Sequence, residues 1–219
     1  DNFFVDIKLK KVRDLDSNYY DIIFPSDLST SERFKKVNYF KKQNALILTT
    51  NTNKIFVTEP LNLQPLKALE ELLPSLAELR LISLTDFREK KILLVNTVNN
   101  ISLYSLSKNS YAQFEGELKI DKFKIKDFII NNNKIYILDD NGSLHLTYMN
   151  KSMKNQKVFL TPPMTVDNSK SYVSIKFFST ASDNDLLLVK KNGNIIVKNF
   201  DIDHTFSQIK IVYSKRKLN

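Results

Sequence analysis

Residues 134–150 read KIYILDDNGSLHLTYMN, two apolar runs on either side of Asp-Asn-Gly. Such a triplet between apolar runs predicts a β-hairpin, because glycine accepts the positive φ that a tight turn demands. The pattern recurs as ALILTTNTNKIFVTEPL from Ala45, KILLVNTVNNISLYSLS from Lys91 and DLLLVKKNGNIIVKNFD from Asp185. Aligned on the first apolar residue after each turn, the copies are anchored at Ile55, Ile101, Leu144 and Ile195, spaced 46, 43 and 51 residues. The leading strands then present Leu46 and Leu48, Ile92 and Leu94, Ile135 and Ile137, Leu186 and Leu188. The following strands present Ile55 and Val57, Ile101 and Leu103, Leu144 and Leu146, Ile195 and Val197. Aliphatic residues two apart are the period of a strand with one buried face. The leading strands also carry Ile47, Leu93, Tyr136 and Leu187 in between, which predicts cover on both faces. The following strands, with Phe56, Ser102, His145 and Ile196 in between, are expected to be less covered.

The residue two before each anchor is Asn53, Asn99, Gly142 or Gly193. Glycine, and less easily asparagine, tolerates the left-handed backbone a hairpin turn needs. The chain has only three glycines, and two of them stand at this position. A further apolar strand is expected before each hairpin, at 34–40, 79–84, 123–130 and 172–179. Most copies are followed by a fourth, at 111–118, 156–161 and 207–213. Three or four antiparallel strands per repeat of this length make a propeller blade, whose flat faces are buried only by stacking on neighbours. An irregular β-sandwich is the alternative, and it would lack a shared turn register.

In pattern the chain resembles the WD40-like β-propeller family over residues 34–213, and YVSIKFFSTASDNDLLLVKKNGNIIVKNFD from Tyr172 matches the inner strand, loop and hairpin of one blade. The resemblance is architectural. Thr58, Tyr104, Thr147 and Lys198 stand where the family carries Trp, Glu59, Ser105, Tyr148 and Asn199 stand where it carries Asp, and the opening Gly-His pair is absent. It implies an all-β fold of about four antiparallel blades near 34–79, 80–121, 122–171 and 172–214. Residues 1–33 supply N-terminal strands of a closing or additional blade, from FFVDIKL and YYDIIF. Four blades rarely close a ring. Completion by another chain or by further parts of the native chain is expected, or else an open arc packed on a partner, since exposed sheet edges are costly. The piece alone is therefore expected to be unstable. One short helical insertion is predicted at 65–73, in LQPLKALEELLPSLAEL: Pro65 suits a first helical position and Pro74 a stop. Its apolar side, Leu66, Leu69, Leu72 and Leu73, packs on the propeller or docks a partner. Polar runs at 105–110, 131–133, 150–156 and 166–171 read as solvated loops.

With 219 residues, 42% hydrophobic and 11% aromatic, the chain has ample material for a core. It has no cysteine, which excludes disulfides, Cys-ligated zinc and thiol catalysis within it. No apolar run approaches the length of a bilayer span and the start lacks a signal-peptide layout, so an intracellular location, nuclear or cytoplasmic, is expected. Abundant Asn, Lys and Ile with little Gly also reflect an AT-rich coding bias, which accounts for part of the formal charge of +9.

Residues for chemistry are few. Of the two histidines, His145 alternates with Leu144 and Leu146 and reads as a lateral strand residue, and His204 sits in a polar loop with Asp201 and Asp203. Asp139 and Asp140 are adjacent carboxylates where a turn begins, a preference that explains them. No phosphate-binding Gly-rich loop, serine nucleophile elbow or metal motif is present. The expectation is a chain that is not an enzyme and uses no cofactor: a scaffold for other protein subunits. The alternative is nucleic-acid contact through the basic surface, with Lys215, Arg216 and Lys217 as the best single candidate for a phosphate or acidic-protein contact.

Overall fold

A computed structural model describes residues 4–6, 11–13, 19–21, 34–43, 45–58, 79–97, 99–106, 112–177, 185–199 and 209–213. The helix expected at 65–73 with its leucines Leu66, Leu69, Leu72 and Leu73, the loop with His204, and Lys215, Arg216 and Lys217 lie outside the described residues. Among the described residues the backbone is nearly all β, and the sole helical piece is a 3-10 turn at Lys41–Gln43.

The strands group into antiparallel sheets of consecutive members. Strands β1 (Phe4–Asp6), β2 (Lys11–Arg13) and β3 (Tyr19–Asp21) form one, and β4 (Phe34–Phe40), β5 (Ala45–Thr50) and β6 (Ile55–Thr58) the next. A four-stranded sheet follows from β7 (Leu81–Phe87), β8 (Lys90–Asn96), β9 (Asn100–Leu106) and β10 (Ala112–Lys119). Then come β11 (Ile125–Asn131), β12 (Lys134–Asp139), β13 (Leu144–Lys151), β14 (Val158–Leu160) and β15 (Met164–Asp167). The last sheet holds β16 (Tyr172–Phe177), β17 (Asp185–Lys190), β18 (Ile195–Asn199) and β19 (Ile209–Tyr213).

Three of the hairpins turn in the same way. Asn53, Gly142 and Gly193 donate their amides to the carbonyls of Thr50, Asp139 and Lys190, at 3.1, 3.0 and 2.9 Å. The same three strand-end residues donate to the carbonyls of Lys54, Ser143 and Asn194. Asn53, Gly142 and Gly193 take φ of 64°, 92° and 84°. This is a three-residue loop closed by a left-handed bulge residue, and the shared register follows from it. Asn99 accepts a hydrogen bond from the Ile120 amide at 2.7 Å, and its neighbour Val98 lies outside the described residues.

The five-stranded sheet is a four-stranded one with a broken outer strand. Along β13, Met149–Lys151 pair with β14 and Leu144–Leu146 with β15, so the two short strands follow one another on the same edge. The break is Thr161-Pro162-Pro163, where proline cannot donate to the ladder. Thr161 holds it: its amide donates to the Tyr148 carbonyl, its Oγ1 accepts from the Tyr148 amide, and its carbonyl accepts from Thr147 Oγ1. The polar runs expected as loops at 105–110, 131–133, 150–156 and 166–171 are therefore partly strand. Ser105 and Leu106 end β9, Asn131 ends β11, Asn150 and Lys151 end β13, and Val166 and Asp167 belong to β15. Polar residues at a strand end satisfy their backbone in the ladder and their side chains in water, so composition alone does not separate them from loops.

The chain divides into two compact units, residues 1–97 with 104–114, and residues 98–103 with 115–219. In the first, Ala45, Ile47, Ile55, Val57, Leu84, Leu93, Val95 and Tyr104 form a continuous apolar cluster. In the second, Tyr136, Leu138, Leu144, Leu146, Tyr172, Ile175, Leu186 and Leu188 do the same. Leading strand β12 is buried along its whole length, as two-sided cover requires. Following strand β13 is nearly as buried, more than its alternating pattern predicts, because Leu144 and Leu146 pack with residues of the next sheet on one face and Phe123 stacks on His145 on the other.

Candidate functional site

The polar side chains of the second unit gather where β12, β13 and β15 meet the next sheet. Asp139 ends β12, and its Oδ1 accepts the Ser143 amide at 2.8 Å, the turn role its position suggested. Its Oδ2 lies 3.0 Å from His145 Nε2, and His145 Nδ1 lies 3.1 Å from Thr165 Oγ1. The Phe123 ring stacks on the imidazole, centroids 3.8 Å apart and 8° from parallel. Asp139 and His145 are buried, at 3% and 6% exposure. His145, on a strand expected to be less covered, is thus enclosed. Strand β15, absent from the expected pattern, brings Thr165 across from it and closes it in.

A second assembly is centred on Asp167. Tyr172 Oη donates to its Oδ2 at 2.7 Å, Lys198 Nζ bonds the same oxygen, and the Ser169 amide donates to Oδ1 at 2.8 Å. Burial by itself would raise the Asp167 carboxyl, but the bonds from Lys198, Tyr172 and Ser169 overcome it and bring its pKa to about 2. Burial disfavours the Lys198 ammonium, yet its bonds to Asp167 and Tyr172 leave its pKa above the ordinary lysine value. Burial pushes the Tyr172 phenol up. Lys198 Nζ also stands 5.6 Å from the Tyr172 ring centroid. The arrangement ties β18 to the loop that enters β16. Lys198 stays buried because a carboxylate is supplied to it.

Glu115 is a third buried group, with its Oε2 accepting the Val158 amide at 2.9 Å. That amide points out of the edge of β14, and capping it blunts an open strand. On the outer surface, Met153, Phe159 and Met164 are large apolar side chains left in solvent, at 96%, 42% and 44% exposure. All three lie on or beside the broken outer strand. In the first unit, exposed Phe114 packs edge-on against Tyr104, ring centroids 5.6 Å apart.

Reading the sequence for chemistry passed over Phe123, Thr165, Asp167, Lys198 and Glu115. One signal was available: Lys198 follows Ile196 and Val197 on a strand whose alternate positions are core. Of the residues singled out, the structure joins Asp139 to His145 and leaves Asp140 exposed. Among the described residues no three His, Cys, Asp or Glu side chains are grouped to hold a metal ion, and no helix is long and apolar enough to cross a membrane.

No protein-family model matches the chain, and no curated protein matches its sequence. Solved structures do. The WD40 domain of SCAP from fission yeast is 10% identical with a TM-score of 0.60, covering 89% of this chain and 48% of that one. The complex of the fission yeast SREBP and SCAP binding domains gives 9% and 0.63, covering 90% and 53%. The periplasmic gluconolactonase PpgL of Pseudomonas aeruginosa gives 11% and 0.56, covering 96% and 66%. At such identities the likeness shows the fold alone, a β-propeller whose antiparallel sheets are the blades. The chain spans about half to two thirds of the length of these structures. They include both interaction domains and an enzyme.

Proposed function

We propose that the chain is a non-catalytic scaffold subunit of an intracellular multi-protein assembly, nuclear or cytoplasmic. It holds partners on the loops and outer strands of its blades. The observation that carries this reading is the broken outer strand with Met153, Phe159 and Met164 in solvent. Apolar side chains of this size, held on a rigid sheet, give a partner surface to bury, and methionine adapts its shape to what it meets. The SCAP neighbour, solved with its SREBP partner, supports protein binding by a fold of this kind. The blades at 34–79, 80–121, 122–171 and 172–214 would be joined by further blades from outside this sequence to close the ring. Capture with the full chain, followed by cross-linking and mass spectrometry, tests the reading. A partner cross-linked beside the outer strand and lost in the Phe159→Ser/Met164→Ser double variant is the expected result. Partners retained in full by that variant would remove the outer strand from the proposal.

Nucleic-acid contact is the second reading, and the exposed lysines Lys119, Lys122, Lys124 and Lys126 along one stretch favour it. Binding to mixed nucleic acid across a salt series decides it. Affinity that falls steeply with salt supports contact with phosphates, and no binding at low salt excludes it.

A further inference from the structure

Sequence-distant lysines converge on the turn between β12 and β13. The Asp140 amide donates to the Lys124 carbonyl at 3.0 Å, which fixes Lys124 beside that turn. The Tyr172 amide donates to the Gly142 carbonyl at 3.1 Å, bringing Lys170 and Ser171 alongside. The Lys191 amide donates to the Ser171 carbonyl at 2.7 Å, and Lys191 Nζ donates to the Asn141 carbonyl at 3.1 Å. Lys124, Lys170 and Lys191 are all exposed, and Lys170 is held at a φ of 53°, which a lysine adopts only under the constraint of its neighbours. The exposed acids among the described residues of these segments are Asp140, at the centre, and Asp121, three residues before Lys124. Like charges gathered this closely repel one another, a modest cost that a negative partner reverses.

We infer that this end of the second unit binds an acidic, extended segment of a partner protein, an inference that rests on the scaffold reading and names the partner's chemistry. Carboxylates of such a segment pair with Lys124, Lys170 and Lys191, while its backbone amides donate to Asp140. A peptide offers both acceptors and donors. A nucleic-acid backbone offers phosphates, which Asp140 repels, and the rings beside this end are engaged, Phe123 stacked on His145 and Tyr172 buried.

The test uses the full chain and a fluorescent ten-residue peptide of alternating Glu and Ser at low salt. A Lys124→Glu/Lys170→Glu/Lys191→Glu variant is compared with Lys154→Glu/Lys157→Glu, which reverses exposed lysines in the turn at the opposite end of β13. We expect the first to weaken peptide binding by about tenfold or more and the second by less than about twofold. A Lys124→Gln/Lys170→Gln/Lys191→Gln variant, with its circular dichroism unchanged, is expected to fall between and guards against misfolding by the reversals. No binding by the wild-type chain, or equal weakening by both charge reversals, overturns the proposal. So does a single-stranded oligonucleotide that binds these lysines more tightly than the peptide. Partners captured equally by the wild-type chain and the three-lysine variant would leave the scaffold standing and remove this surface from it, whereas no partner for either would remove the scaffold itself.

Discussion

The carbonyl of Gly142 accepts the amide of Tyr172 at 3.1 Å, and a Cβ on Gly142 would lie 2.6 Å from the Tyr172 carbonyl oxygen. The turn of one sheet is thereby seated against the first residue of the next, backbone to backbone, with no room for a methyl. The glycine demanded locally by a φ of 92° is demanded a second time by its neighbour.

Gly142→Ala therefore carries two penalties, left-handed strain and a backbone clash, and is expected to cost about 2–4 kcal/mol of stability. Gly116→Ala is the contrast, since its added Cβ meets only the Val158 carbonyl oxygen at an ordinary 3.5 Å. It is expected to cost less than about 1 kcal/mol. Urea denaturation of both variants checks the difference, and equal losses would contradict the seating of the turn.

Asp167 should mark the acid limb of stability. Its folded pKa, about 2, lies below the ordinary 3.8, so its contribution is complete above that ordinary value and is lost as pH falls through the folded one. The size is about 2 kcal/mol at neutral pH, by the linkage relation. Lys198→Met removes the strongest bond that lowers this carboxyl, so the acid transition should begin at higher pH. Thermal melts of wild type and variant between pH 2 and pH 5 read the shift, and superimposable acid limbs would refute it.

The Asp139–His145 pair should be strongly coupled. Removing either partner leaves one buried polar atom of the other unanswered, and Asp139→Ala also strips the Ser143 amide of its acceptor. Each alanine variant is expected to cost about 2–4 kcal/mol, with a coupling of about 1–3 kcal/mol in the double-mutant cycle. Additive losses would show that the two side chains do not share one network.

Glu115→Ala should release the edge of β14. Hydrogen exchange at the Val158 amide is expected to accelerate, with a stability loss of about 1–3 kcal/mol. Glu115→Gln keeps an oxygen acceptor and should restore most of the protection. Unchanged exchange in the alanine variant would mean that the amide is shielded by something other than this side chain.

Much of the fold was legible in the chain. The stretch at 34–40 is β4 residue for residue, and the hairpin turns at Asn53, Gly142 and Gly193 share one hydrogen-bond pattern because each must supply a left-handed residue at the same step. The break in the outer strand was not legible. Residues 162–163 are prolines, which argue against a strand, and only Thr161 bonding back to Tyr148 carries the edge past them into β15. The polar networks were hidden for a related reason. The enclosure of His145 depends on Phe123, 22 residues away in sequence, and on Thr165 of a strand that the apolar pattern does not mark.

The sequence by itself determined the strand period, the hairpin register and the residues able to turn, because each depends on backbone geometry within a few neighbours. Tertiary structure alone decided that Lys198 meets Asp167 across 31 residues, that Glu115 caps Val158 across 43, and that lysines from three segments share one turn. Those pairings depend on which sheet edge lies beside which, and a local pattern of apolar and polar residues does not encode that distance in space.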